Sequence, residues 1–307
     1  TYKSKLFRIS SKVFLILGSM KRLFWLICFL IFVSCEKSDD KVYPDVVLNL
    51  NPLASIKSQK KGVAFGNKYA NNWNTKFELL NPSWHYSWSF LKPDNYPEYI
   101  DFVPMIWGKS SASDENIDYL KDLFNNNVIS HVLGFNEPDL PGQANMTVNE
   151  AINLWPKLES IGAPLGSPVP AYPSSQWLSN FMSIAKNNNL RVDFIALHIY
   201  DIANVDNFLA KIDEIYSLYN KPIWITEFAL RDPQADKNNS NKYSAEDVLL
   251  FMQKLLPELE QRSYVQRYSW FDTSTDNPNY EKLRTADLIS ENNELTALGL
   301  FYSNFTP

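Results

Sequence analysis

Cysteine is nearly absent from this 307-residue chain, and both copies, Cys28 and Cys35, fall within its first 35 residues. The remainder therefore cannot be a disulfide scaffold or hold a cysteine-ligated zinc. Histidine is almost as scarce. His85, His131 and His198 stand far apart with no His-Glu-x-x-His pattern, so a zinc-hydrolase reading is weak. Basic charge is short too: 29 Lys and Arg against 34 Asp and Glu leave a net charge of −5, with no basic block. Nucleic-acid affinity comes largely from phosphate neutralisation, so no nucleic-acid partner is expected. What is present in quantity is apolar and aromatic. Hydrophobic residues make up 45% and charged residues 21%, which excludes global disorder, and the length allows one large domain or two ordinary ones. Nine Trp, 16 Tyr and 19 Phe supply more aromatic surface than core packing alone calls for. In polar, loop-like contexts such rings suit stacking on flat apolar faces, as of sugars or bases.

The N-terminal segment reads as an address. Met20-Lys21-Arg22 precedes an apolar run at 23–33 and then Ser34-Cys35. A basic start, a short apolar stretch and a small residue before the cut describe a secretory signal over 20–35. The run falls well short of the roughly 20 residues a spanning helix needs. Phe32-Val33-Ser34-Cys35 resembles a bacterial lipobox, with Phe where Leu is usual; there Cys35 becomes the lipidated first residue, anchored to the cell envelope. The alternatives are an ordinary signal peptide or one anchor helix starting at Val13. Residues 1–19 precede Met20 and read as an upstream extension without structure. Glu36-Lys37-Ser38-Asp39-Asp40 is either a solvated tether or an acidic export signal of the kind that sends some Gram-negative lipoproteins to the outer-membrane surface. Residues 36–60 carry little periodicity and read as a flexible tether.

From residue 61 to 307 the pattern is one of short β-rich runs alternating with helical signals. The runs are 62–66, 84–89, 100–107, 132–136, 163–168, 192–200, 222–228 and 265–271. Eight such units in a region of this length predict an α/β fold, the (β/α)8 TIM barrel. Ser113, the Thr147/Glu150 capping box and Ser244 mark helix starts. The second run has little helical signal behind it, and Pro156 interrupts the helix after the fourth, so an irregular barrel is expected. In such a barrel chemistry sits where the strands end. That rule selects Asn136-Glu137-Pro138-Asp139, His198-Ile199-Tyr200, Glu227 and Trp270-Phe271-Asp272.

Glu137 and Glu227 each end an apolar run, and a carboxylate there is costly to desolvate without a partner or a task. Either alone could be a structural hydrogen bonder. Together, on the fourth and seventh runs, they face one another across the barrel mouth. Glycoside cleavage needs such a pair, one carboxyl to protonate the leaving oxygen and one carboxylate to attack the sugar carbon. Phe135-Asn136-Glu137-Pro138-Asp139, Trp224-Ile225-Thr226-Glu227-Phe228 and Trp84-His85-Tyr86-Ser87-Trp88 together resemble glycoside hydrolase family 128, of the retaining clan A, whose members act on β-1,3-glucans. The resemblance implies Glu137 as acid/base, Glu227 as nucleophile and Asn136 beside the acid/base. It further implies that Tyr200 hydrogen-bonds the nucleophile and that Trp270 floors the cleavage subsite. Ser87 stands where the family commonly has Asn, and His85 where it has an aromatic.

The remaining candidates are substrate contacts. His198 and Tyr200, two apart on a strand, share one face. So do Trp84, Tyr86 and Trp88, which are a stacking platform if that face points into the mouth and packing if it does not. Trp73 in its Asn-rich loop, Trp107 at the end of the third run and Tyr172 in a Pro-rich loop complete the set, whereas Trp155, Trp177 and Trp224 read as packing. The expected protein is a monomeric endo-acting β-1,3-glucanase needing neither metal nor organic cofactor, with a polysaccharide as its partner. A clan-A hydrolase of β-1,4-glucan or mannan, or a non-catalytic glycan-binding lipoprotein, are the alternatives.

Overall fold

The computed structural model describes residues 57–66, 73–271 and 280–307. The signal segment, Cys35, Asp272 and the side chain of Trp73 lie outside the described residues. The elements run β1 (Lys61–Ala64), α1 (Trp73–Leu80), β2 (Trp84–Tyr86), β3 (Asp101–Phe102), α2 (Asp114–Asn125), α3 (Val148–Glu159), α4 (Gln176–Asn187), β4 (Ile195–Ile199), α5 (Val205–Tyr219), β5 (Ile223–Phe228), α6 (Ala245–Gln261), β6 (Val265–Trp270) and α7 (Ala297–Asn304). Helix starts fall where hydroxyl caps stand. Ser113 accepts from the Asn116 N–H, and Thr147/Glu150 and Ser244/Asp247 form reciprocal capping boxes. Pro156 does not interrupt α3, which continues to Glu159. Placed in the last turns, it forfeits only the bond its N–H would have made near the frayed end.

Six strands form one all-parallel sheet in the order β3-β2-β1-β6-β5-β4. The expected third, fourth and fifth runs are less regular. They are joined by isolated parallel bridges, Met105 to Leu133, Val132 to Leu165 and Asn136 to Val169, and Gly166 bridges on to Phe194 beside β4. Pro104, Pro164 and Pro168 explain this, since each removes a ladder donor from its segment. Their carbonyls still serve: Leu133 N–H donates to Pro104 O and Val132 N–H to Pro164 O, both at 2.9 Å. Through 132–136 and 164–169 the parallel arrangement runs from β3 round to β4, giving the eight segments of the (β/α)8 barrel.

Side chains alternate between two buried layers. Val63, Phe102, Phe135, Leu197, Ile225, Phe228, Tyr268 and Trp270 belong to the large core shared with the helices. Ala64, Trp84, Tyr86, Met105, Leu133, Ala196 and Trp224 fill the barrel interior. The interior is close-packed: a Cβ on Gly62 would lie 2.2 Å from the Trp84 indole. At the N-terminal end of the barrel, Arg267 pairs with Asp101 and lies 4.3 Å from the Trp224 ring. Residues 57–60, expected as tether, are already fastened to the barrel. Ser83 Oγ donates to Ser58 O at 2.6 Å, and Lys60 Nζ donates to Leu259, Glu260 and Arg262 carbonyls at the end of α6.

Candidate active site

The C-terminal ends of the strands bring together two glutamates and the groups that hold them. Glu137 follows the 132–136 segment with φ +40, a left-handed conformation that costs a non-glycine residue free energy, and its N–H donates to Val169 O at 2.7 Å. Glu227 sits in β5. Strict alternation from Ile223 would turn it outward toward the helices. The register against β4 shifts, pairing Leu197 with Ile225 but His198 with Glu227, so one extra residue is accommodated and Glu227 faces the interior. Re-aiming one side chain is what a β-bulge does.

Both Glu227 oxygens are occupied by donors. Tyr86 Oη and Trp88 Nε1 donate to Oε1 at 3.0 and 2.8 Å, and Tyr200 Oη donates to Oε2 at 2.6 Å. His198 lies between the carboxylates. Its Nδ1 is 2.9 Å from Glu137 Oε1, and Nε2 is 3.3 Å from Glu227 Oε1 but not aligned for a hydrogen bond. The three ligating atoms of Glu137, His198 and Glu227 lie within 4.8 Å of one another. One imidazole and two carboxylates could hold a cation. Three O–H and N–H donors already take three of the roughly four lone-pair sites of Glu227, so this carboxylate is dressed for hydrogen bonding and has little left for a metal. The side chains of Glu137 and Glu227 are 12% and 8% exposed, reachable yet largely desolvated.

This environment moves the neighbours' proton affinities. Burial alone would lower the His198 pKa, but Glu227 and then Glu137 outweigh it and the net shift is upward. Burial, reinforced by Glu227, raises the Tyr86 and Tyr200 hydroxyls well above the ordinary phenol range. Each therefore stays a donor at any pH the enzyme meets.

The other expected contacts divide by depth. Trp88 and Trp107 are partly exposed and rest on the interior cluster, as mouth-lining rings should. Asn136 is buried, with Nδ2 donating to Gln143 Oε1 at 3.3 Å and Oδ1 without a partner among the described residues. Tyr172 is 59% exposed in the loop beyond 169. Trp73 opens α1. Two expectations are corrected. Trp84 shares the inward face with Tyr86 and Trp88 but lies a layer too deep to meet a sugar: it is fully buried, 5.5 Å from Trp224, with Nε1 donating to Lys60 O. Trp270 does not floor the site. It is fully buried on the helix side, edge-on to Phe228 at 5.1 Å, with Nε1 donating to Ala286 O at 2.7 Å. The inward position is the next residue. Phe271 is half-buried and meets Trp88 and Tyr200 edge-on, each at 5.8 Å. Arg231, Asp201 and Gln143 were also missed by the sequence reading. All three lie in loops, where no periodicity announces a direction.

Comparison with known proteins places this geometry. The profile of the family described as "Glycosyl hydrolase catalytic core" matches residues 62–302. A subgroup I endo-β-1,3-glucanase of glycoside hydrolase family 128 from Amycolatopsis mediterranei, crystallised with laminarihexaose, is 31% identical; the match covers 80% of this chain and 99% of that one, with a TM-score of 0.70. A subgroup II endo-β-1,3-glucanase from Pseudomonas viridiflava is also 31% identical, covering 81% and 98%, with a TM-score of 0.65. Alkali-sensitive linkage protein 1 of Schizosaccharomyces pombe is 32% identical over 190 residues, 55% of this chain, which spans only 34% of that relative's length. On the family profile and on relatives matched along nearly their whole length, the chain belongs to the glycosyl hydrolase catalytic core family and to glycoside hydrolase family 128.

Proposed function

We propose that the chain hydrolyses β-1,3-linked glucan with retention of configuration, acting within the chain rather than from its end. The observation that carries this is the carboxylate pair. An oxygen of Glu137 and one of Glu227 approach within 4.8 Å, which suits the close spacing, about 5–5.5 Å between carboxyl groups, of retaining pairs better than the wider one of inverting pairs. The roles follow from the partners. Glu227, held at both oxygens by three donors, is oriented and charge-complemented for attack on the anomeric carbon. Glu137, whose partner is His198, protonates the departing glycosidic oxygen. The attack gives a covalent glycosyl-enzyme. Glu137, now ionised, then takes a proton from water as that water displaces Glu227. His198 keeps the two carboxyls in register through both steps. Trp88, Trp107 and Phe271 offer rings for the sugar faces, and Asn136 Oδ1 offers an acceptor for a sugar hydroxyl. No step calls for a metal or organic cofactor. The substrate linkage and endo action rest on the similarity to the endo-β-1,3-glucanases above.

The sequence supports a further reading, that Cys35 is lipidated and becomes the first residue when the signal is cut before it, and that the enzyme works as a monomer tethered to the bacterial envelope, at the outer-membrane surface. Mass spectrometry of the N-terminal peptide and protease accessibility on intact cells test it; a free Cys35 thiol or a fully protected catalytic domain would contradict it. The activity is tested by reducing-end release from linear β-1,3-glucan, with β-1,4-glucan and mannan alongside. Release from the first alone, lost in Glu227→Gln, is expected. Binding without release would make the chain a glycan-binding protein.

A further inference from the structure

Tyr200 follows directly on β4, and its hydroxyl is the sole donor to Glu227 Oε2 among the described residues, at 2.6 Å. A tyrosine ring can swing about two torsions, so something must fix where that hydroxyl points. Phe271 meets the ring edge-on at 5.8 Å. The Arg231 guanidinium lies 5.6 Å from the ring centroid. Arg231 is itself held by a two-point fork on the residue next to Tyr200: Nε donates to Asp201 Oδ1 at 3.1 Å and Nη2 to Oδ2 at 2.8 Å. Asp201 adopts φ +64, a left-handed conformation that aspartate and asparagine reach more readily than other residues with a side chain.

An ion pair about one-third exposed on each side contributes little to stability. What the pair does is hold the guanidinium beside the Tyr200 ring, from the residue next to Tyr200. We infer that Arg231 and Asp201 form a brace that positions Tyr200 and, through its hydroxyl, the second oxygen of the Glu227 carboxylate. The inference rests on Glu227 being the nucleophile. Arg231 is a positioning residue, acting through Tyr200. Lysine cannot take its place, because one ammonium cannot make the planar two-point fork onto Asp201 that holds the cation beside the ring.

The test is a double-mutant cycle in the full chain between Arg231→Gln and Tyr200→Phe, with Arg231→Lys and Asp201→Asn beside it; asparagine tolerates the left-handed backbone. On linear β-1,3-glucan, well below the unfolding temperature, Arg231→Gln should lower kcat about tenfold with KM little changed, since small misplacements of reacting groups cost up to about 100-fold. Arg231→Lys should not restore it. In the Tyr200→Phe background Arg231→Gln should add little further loss. Additive losses, full rescue by lysine, or a lowered unfolding temperature with unchanged kcat would each overturn the brace. If the wild-type chain cleaves no glucan, the glucanase reading fails on its own, and the same cycle read by thermal unfolding decides: coupling keeps the brace, additivity removes it.

Discussion

Burial and neighbouring charge can push a histidine's proton affinity down or up, and this chain shows both directions. His85 is wholly buried among Phe65, Phe77, Tyr96 and Phe102, with Nε2 3.0 Å from Phe65 O and Nδ1 3.2 Å from Tyr96 Oη. Burial lowers its pKa to about 3, and burial together with Arg267 lowers that of His131 to about 4. The unfolded chain takes up these protons near pH 6.5. Between pH 6.5 and about 3 the unfolded state therefore binds more protons and stability falls as pH falls. His198 has the opposite sign. Its raised pKa contributes stability that is present below about pH 6.5 and is lost as pH rises through the folded value. Thermal melts of His85→Phe should show lower stability than wild type at pH 7, by about 1 kcal/mol for the lost hydrogen bonding. That deficit should shrink toward pH 4. In His198→Gln the decline above pH 6.5 should disappear. Unchanged pH slopes in both variants would contradict the assignment. At this scale the sequence was most legible where chemistry is carried by residue type. Glu137, Glu227, His198 and Tyr200 stand at run ends and meet in space. It misled at Trp270, because a one-residue difference in strand phase exchanges helix side for mouth side, and the larger ring took the helix side.

The β elements show why depth and direction resist prediction. Trp84, Tyr86 and Trp88 share a face as period 2 requires, yet they occupy successive depths: interior packing, nucleophile contact and mouth. Sequence gives the face and not the layer. The bulge in β5 has no sequence mark at all, since Ile225-Thr226-Glu227 reads as plain alternation. β1 is constrained from the other side. Gly62→Ala would drive a methyl into the Trp84 indole and should cost about 1–3 kcal/mol in denaturant unfolding, the usual penalty of overpacking. The prolines that punctuate 100–107 and 163–168 stand in plain view in the sequence; the first run is cut to the two-residue β3 and one isolated bridge, and the second is left as isolated bridges alone.

At the scale of the whole molecule, adjacent lysines tie the first strand to the last helices. Lys60 Nζ serves the carbonyls at the end of α6, and Lys61 Nζ donates to Tyr302, Ser303 and Phe305 carbonyls at the end of α7. Cations there also meet the negative ends of the helix dipoles. Lys61→Met should leave buried carbonyls without donors and lower stability by about 1–3 kcal/mol, read by chemical denaturation, with kcat unaffected at low temperature. The barrel itself was legible because eight β-rich runs recur with helix caps between them, and the caps at Ser113, Thr147 and Ser244 fall where expected. What joins distant parts of the chain, as Lys61 joins β1 to α7, leaves no local pattern to read.

The central claim is double displacement by Glu137 and Glu227 on β-1,3-glucan. Proton NMR of the anomeric region during the first minutes of hydrolysis of a linear β-1,3-linked oligosaccharide tests it most directly. The new reducing end should appear first as the β-anomer and only later mutarotate, and Glu227→Gln should give no product. First appearance of the α-anomer, or undiminished cleavage by Glu227→Gln, would contradict it.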